Sequence, residues 1–387
     1  MMHGMQPKRA VWIVAVSATL LVLIWQAATV YGNYGGNWSG LFCIGNRWAQ
    51  PPDLSAEKNL IFEHPGYDGG FYHLVAHDPW MKRGFSKYVD NPNLRWRRIL
   101  IPMMAFLAAA GDDQRIHAGY ISVHLLFIFA GVFWLSGYCV HCGLHPAWGF
   151  GFIAIPSVLV SIDRLTIDTA LAALAVGFIY YARKDSHIHS LVLLALCPLA
   201  RESGLFLTVG RAWEQTIRRE WRRLTLTILS TLPFLLWVCP VLSKSTRDGT
   251  QWLSFPFAGI IRRTFNPLVY AISGRWVAVA AILDYLALIG IWIALAFVVR
   301  LALKRRSGLI ENSAYVFALG AVLLGKADIW GGAYEFGRTM SPLLIMLGLM
   351  AIRDRNRWAL MPLACVLPRI LLQYDPQIRG ILRHWIF

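Results

Sequence analysis

Residues 276–303 read WVAVAAILDYLALIGIWIALAFVVRLAL, and Lys304, Arg305 and Arg306 follow at once. A helix of that length rises about 42 Å, more than the ~30 Å hydrocarbon core of a bilayer. Its only charges are Asp284 and Arg300. An apolar run that stops at three basic residues is a spanning helix leaving the membrane on the cytoplasmic side. The rest of the chain fits this reading. Hydrophobic residues make up 57% of the 387 residues, charged residues 15%, and the mean hydropathy is +0.49. A soluble fold cannot hide that much apolar surface. Helices can cross lipid because they satisfy their own backbone hydrogen bonds, and no stretch alternates as a membrane barrel strand does. The expected fold is therefore an all-α, polytopic integral membrane protein.

The net charge of +16 does not point to nucleic acid, because the basic residues lie in short clusters between apolar segments. That is the positive-inside pattern. The six cysteines form no disulfide framework. Lys8 and Arg9 put the N-terminus in the cytoplasm, and the apolar run 11–31 is too long for a signal-peptide core, which predicts an uncleaved anchor. From there the spans are predicted at about 116–137, 146–162, 166–182, 188–200, 204 onward, 224–242, 276–303, 309–327, 337–352 and 358–374. With the first, that gives 10–11 transmembrane helices in a single domain, 1–387. Residues 32–111 form a first outer loop, ending in a juxtamembrane helix at 99–111. A further outer loop is predicted at 243–266. The alternation puts Lys8/Arg9, 183–184, 211–223, 304–306 and 353–357 on one side. It puts Asp68, Asp78, Asp163, Asp168, Glu202 and Glu335 on the other.

That acidic face is where chemistry is expected. The outer loop contains EHPGYDGGFYHLVAHDPW at 63–80. Gly66, Gly69 and Gly70 around Asp68 predict a tight turn holding one carboxylate towards a substrate. The bland alternative is a glycine-rich turn with a capping aspartate. Residues 71–77 predict a short helix with His73 and His77 on one face. Asp68, His73, His77 and Asp78 are candidate ligands for a divalent cation; a polar loop helix is the simpler account. Transfer of a sugar from a lipid phosphate needs a carboxylate to take the acceptor's proton and cations to stabilise the departing phosphate. Asp68, Asp78, Asp163 and Asp168 are candidates for the first role. Arg97, Arg98, Arg201 and Arg338 are candidates for the second. Asp284 is costly within a span, and is either functional or paired with another helix.

The run Gly66-Tyr67-Asp68-Gly69-Gly70-Phe71-Tyr72, then His77-Asp78-Pro79, resembles the first outer loop of bacterial GT-C-type glycosyltransferases. Asn91 to Pro102 resembles that family's approach to its juxtamembrane helix. Ile162-Asp163 with Thr166-Ile167-Asp168, Leu199-Ala200-Arg201-Glu202-Ser203-Gly204 and Glu335-Phe336-Gly337-Arg338 resemble its later outer turns. The likeness covers roughly residues 1–210, a catalytic half, and leaves 211–387 as more variable helices. It implies a polyprenyl-phosphate-linked sugar donor and a glycan, lipid or protein acceptor on the outer face of a bacterial inner membrane. It implies Asp68 as the essential carboxylate and Arg201 and Arg338 on the donor phosphate, with Tyr67, Tyr72, His77, Glu202 and Glu335 in support. Members of this superfamily differ in metal use, so a divalent cation stays open. The chain departs from some relatives, which carry an adjacent acidic pair where Tyr67-Asp68-Gly69 stands here. The rival readings are a transporter or flippase for a lipid-linked glycan, which predicts inverted repeats, and a non-catalytic subunit of a surface-polymer assembly complex.

Overall fold

Helices make up 77% of the chain, and the sheet among the described residues is a two-residue parallel pair, β1 (Ile44–Gly45) with β2 (Ile61–Phe62). The computed structural model describes residues 7–244, 252–268, 270 and 274–386. Residues 245–251 of the expected 243–266 loop lie outside these. The helices are α1 (Pro7–Asn33), α2 (Asp68–His77), α3 (Pro92–Arg97), α4 (Leu100–Ala108), α5 (Ile116–His141), α6 (Pro156–Arg164), α7 (Asp168–Arg183), α8 (His187–Ala200), α9 (Leu205–Ile217), α10 (Trp221–Leu229), α11 (Leu232–Lys244), α12 (Ala258–Phe265), α13 (Arg275–Leu303), α14 (Leu309–Leu323), α15 (Ala333–Asp354), α16 (Met361–Leu372) and α17 (Asp375–Ile386).

Five stretches are long and apolar enough to cross a bilayer alone: Lys8–Asn33, Asp113–His141, Trp221–Lys244, Trp276–Leu303 and Ala333–Asp354. A sixth is formed if Pro146–Phe152 and Pro156–Arg164, which meet at 62°, make one bent span. The protein is thus an all-α, polytopic membrane protein, with fewer full-length spans than the ten or eleven expected. The difference has a physical cause. Helix α7 has only 16 residues, and Asp168 through Tyr180 are all buried by other helices. Helices α8, α14 and α16 have 14, 15 and 12 residues. Hydropathy cannot separate such protein-buried helices from lipid-facing ones; length does.

The two ends of α5 touch different groups of residues. At its start, His117 meets His73 of α2. Beyond its end, the Cys142 and Gly143 carbonyls accept from Arg355 at 2.8 and 2.9 Å. That second pole also gathers Arg353 on Glu311 at 2.5 Å, Arg223 near Asp185, and Lys304 and Arg306 around one cavity with Asp354. The first pole gathers Asp68, Arg98, Asp168, Arg201, Glu202 and Arg338. The 26 residues of α5 put roughly 39 Å between the poles.

Beside the start of α15, Asp284 of α13 is buried and fully engaged. Arg263 donates at 3.1 Å, Arg369 lies at 3.3 Å, the Ala333 N–H donates at 2.9 Å, and the Tyr270 hydroxyl donates as well. It ties α12, α16 and the start of α15 to α13. Of its two sequence readings, the paired structural one holds.

Candidate active site

The first pole is built around the start of α2. Gly66 has φ +78°, Tyr67 is extended, and Asp68 opens the helix. A carboxylate in the first turn faces the positive end of the helix dipole. Gly69 and Gly70 lie inside the helix, not in the expected turn. A Cβ on Gly69 would sit 2.1 Å from the Arg164 carbonyl oxygen and 2.8 Å from that of Phe42. Glycine there lets α2 rest directly on the end of α6.

Asp68 is held from both sides. Arg95 donates to Oδ1 at 2.8 Å and Arg338 donates to Oδ2 at 2.8 Å. Arg95 also grips Asp90 through two bonds of 2.8 and 2.7 Å. Arg338 Nε lies 3.6 Å from Asp168, which Arg201 also bonds. The result is a row of alternating charge, Arg95–Asp68–Arg338–Asp168–Arg201, drawn from α3, α2, α15, α7 and the turn after α8. Burial alone would raise the Asp68 carboxyl, but the Arg95 and Arg338 guanidiniums outweigh it and hold it well below the usual carboxylate range. Beside this row Arg98 binds Glu202 bidentately, both bonds 2.8 Å, and donates to the Tyr72 hydroxyl at 3.2 Å. Burial would raise Glu202 too; Arg98 pulls it down to about 2.

Next to the row lies a cavity of about 280 Å³. Arg97, Arg98, Arg201, Glu202 and Thr339 form its polar end, and Phe206, Phe317, Leu324, Met340 and Leu343 line the remainder. Arg97 has no carboxylate partner among the described residues. Three buried N–H donors also have no hydrogen-bond partner: Arg95 Nη1, Arg338 Nε and Arg338 Nη1. The Tyr67 hydroxyl is likewise unpartnered, and its ring lies 5.2 Å from the Arg338 guanidinium. Orphaned buried donors beside a cationic cavity are what an anion would satisfy.

Comparison with known proteins finds no match: no family model fits the sequence, and neither a characterised protein nor a solved structure is similar to it.

Of the residues expected in the site, Asp68, Asp168, Arg98, Arg201, Glu202, Tyr72, Tyr67 and Arg338 come together, with Arg97 at the cavity. Arg338 comes from the second half of the chain, so residues 1–210 alone do not make the site. Two expectations need correction, and a third residue, Glu335, has a structural bond as well. Asp78 is not a free carboxylate: it accepts from the backbone N–H groups of Lys82, Arg83 and Phe85 at 2.7, 2.9 and 3.4 Å, and so caps the turn after α2. Asp163 is buried apart from the row, bonded by Arg164 at 2.8 Å and by Tyr334 and Gln377, which locks α6 to α15 and α17. Glu335 folds back on the Gly332 N–H at 2.9 Å as the cap of α15.

The cation candidates also divide differently. Asp68 and Asp78 take no part, whereas His73 and His77 meet Glu57, with His117 at 2.9 Å from His73 and Asp113 at 2.7 Å from His77. Sequence reading missed Glu57, Asp113 and His117, which stand far from α2 in the chain and share no periodicity with it. It also missed Arg95, whose place in the site follows only from its bonds to Asp68 and Asp90.

Proposed function

We propose that this protein is a membrane glycosyltransferase of GT-C-like architecture, which moves a sugar from a polyprenyl-phosphate carrier to a glycan, lipid or protein hydroxyl. The observation that carries this reading is the cavity with arginines at one end and an apolar lining. A lipid phosphate has that same division, one charged head and one hydrocarbon chain. Arg97, Arg98 and Arg201 would take the phosphate, and Phe206, Phe317 and Leu343 the first isoprenoid units. The resemblance at 66–72, 199–204 and 335–338 supports the same class. On this reading the site faces the outer side of a bacterial inner membrane, with the N-terminus in the cytoplasm.

Catalysis then follows from the charge row. Ion-paired on both sides, Asp68 is a weak base. A donor phosphate that recruits Arg338 removes one of its two partners and raises its proton affinity. The acceptor hydroxyl oxygen attacks the anomeric carbon, forming the new C–O bond. The old bond from that carbon to the phosphate oxygen breaks, and its electron pair leaves with the lipid phosphate. The hydroxyl proton passes to Asp68. Arg201 and Arg338 stabilise the charge that develops on the phosphate. A flippase reading is less favoured, because Asp284, the acidic residue well inside a full-length span, is consumed by structural bonds.

The test is transfer by purified protein given a panel of polyprenyl-phosphate sugars. Turnover is expected in the native protein, with a fall of roughly 10²- to 10⁴-fold in Asp68→Asn. Absence of both turnover and saturable polyprenyl-phosphate binding by the native protein would overturn the reading.

A further inference from the structure

Three imidazoles and a carboxylate converge behind the charge row. His73 Nε2 lies 2.9 Å from His117 Nε2 and 3.0 Å from His77 Nε2. Glu57 Oε1 lies 3.0 Å from His77 Nε2, and Oε2 lies 3.5 Å from His73 Nε2 and 3.8 Å from His117 Nε2. The side chains of His73 and His77 are fully buried, and that of Glu57 is 7% exposed.

The arrangement turns three ring nitrogens and a carboxylate towards one point. The Asp113 carboxylate can only accept, so His77 Nδ1 donates to it at 2.7 Å. His77 Nε2 faces a Glu57 carboxylate oxygen and the His73 ring nitrogen, both at 3.0 Å. His73 Nε2 faces two ring nitrogens and can donate to only one. Lone pairs collected from four side chains call for a cation among them.

We infer that Glu57, His73 and His77, with His117 as fourth donor, form a structural zinc site. Nitrogen and oxygen donors of this kind suit zinc. Tetrahedral coordination at 2.0–2.1 Å spaces ligand atoms about 3.3 Å apart, and Glu57, His73 and His77 lie 3.0 to 3.5 Å from one another, with His117 2.9 Å from His73. The outer shell is also in place. Asp113 fixes the ring of His77, and Asn59 Nδ2 donates to Glu57 Oε2 at 2.9 Å; such partners orient metal ligands. The site is closed, so the metal is a staple. It joins the short helix Pro52–Glu57, the inner turns of α2 and the start of α5. His73 lies five residues beyond Asp68, roughly 7.5 Å along α2, so the staple holds the helix that presents Asp68. The inference rests on the cluster alone and stands whether or not the protein transfers sugars.

The experiment uses the full chain purified in detergent without a metal-affinity tag. Elemental analysis is expected to find about one zinc per chain. X-ray absorption at the zinc edge is expected to show a nitrogen/oxygen shell at about 2.0–2.1 Å with imidazole scattering. Glu57→Gln and His77→Ala should each lower the content to about a fifth or less, while His187→Ala leaves it unchanged. Chelation should lower the Tm by roughly 5 °C or more, with zinc restoring it and magnesium not. If His77→Ala fails to fold, the native stoichiometry and absorption spectrum still decide. Less than about a fifth of an equivalent of metal after growth with added zinc, with no Tm change on adding zinc, would overturn the inference. So would a metal content that Glu57→Gln and His77→Ala both leave intact.

Discussion

Arg97 and Arg201 stand at the same cavity but differ in what their loss would expose. Arg201 bonds Asp168, so removing it strands a buried carboxylate and confuses binding with stability. Arg97 makes one bond, to the Asn93 carbonyl at 3.2 Å. Arg97→Gln is therefore the cleaner probe of the donor phosphate. One lost charged hydrogen bond, about 1.5 kcal/mol, should raise the donor KM roughly tenfold with kcat held within about twofold. An unchanged KM would remove Arg97 from the phosphate site. Glu202 supports a prediction in pH. Its carboxyl is about 2 in the folded protein against about 4.3 when unfolded. A depressed carboxylate contributes stability that is present above the unfolded value and lost as pH falls towards the folded one. Glu202→Gln should flatten the decline in Tm between about pH 4.3 and 2; a decline as steep as that of the native protein would contradict the Arg98 pairing. At this scale the sequence was readable for charged residues next to a turn motif, since Asp68, Arg201 and Arg338 do meet. It misled for Asp78, because a capping aspartate and a catalytic one look alike until the backbone N–H groups around them are counted.

Helix α2 was legible as an element, though not in its cause. Its histidines at i and i+4 marked one face, and Asp78-Pro79 marked its end. The glycines were read as a flexible turn, whereas in the fold they belong to the helix and permit contact. The two can be told apart. A methyl group on Gly69 meets carbonyl oxygens at 2.1 and 2.8 Å, while one on Gly70 meets Ile44 no closer than 3.3 Å. Gly69→Ala should lower the Tm by several degrees and abolish transfer, and Gly70→Ala should change the Tm by less than about 3 °C. Equal tolerance of both would mean that α2 does not seat against Arg164. Long apolar helices such as α1, α5 and α13 were visible because their length exceeds the bilayer. The division of 224–242 into α10 and α11 was not, because Ser230 and Thr231 are mild breakers and the apolar run continues across them.

Charge segregation belongs to the whole molecule and does not depend on how many helices span the bilayer. Glu63 is exposed near the first pole, and Arg305 is exposed near the second. In a variant lacking the exposed Cys239, Glu63→Cys should react with an impermeant thiol reagent added outside the cell. Arg305→Cys should react only after the membrane is opened. The reverse pattern would turn the molecule over and remove the outward-facing site. The pole itself has a further consequence. A row of arginines already matched to its own carboxylates competes with whatever anion arrives. On the proposed reading, an incoming lipid phosphate would have to displace an internal counter-ion, which would reclaim its place once the sugar had gone. An enzyme built this way would hold its spent carrier loosely, and so trade tight capture for rapid release.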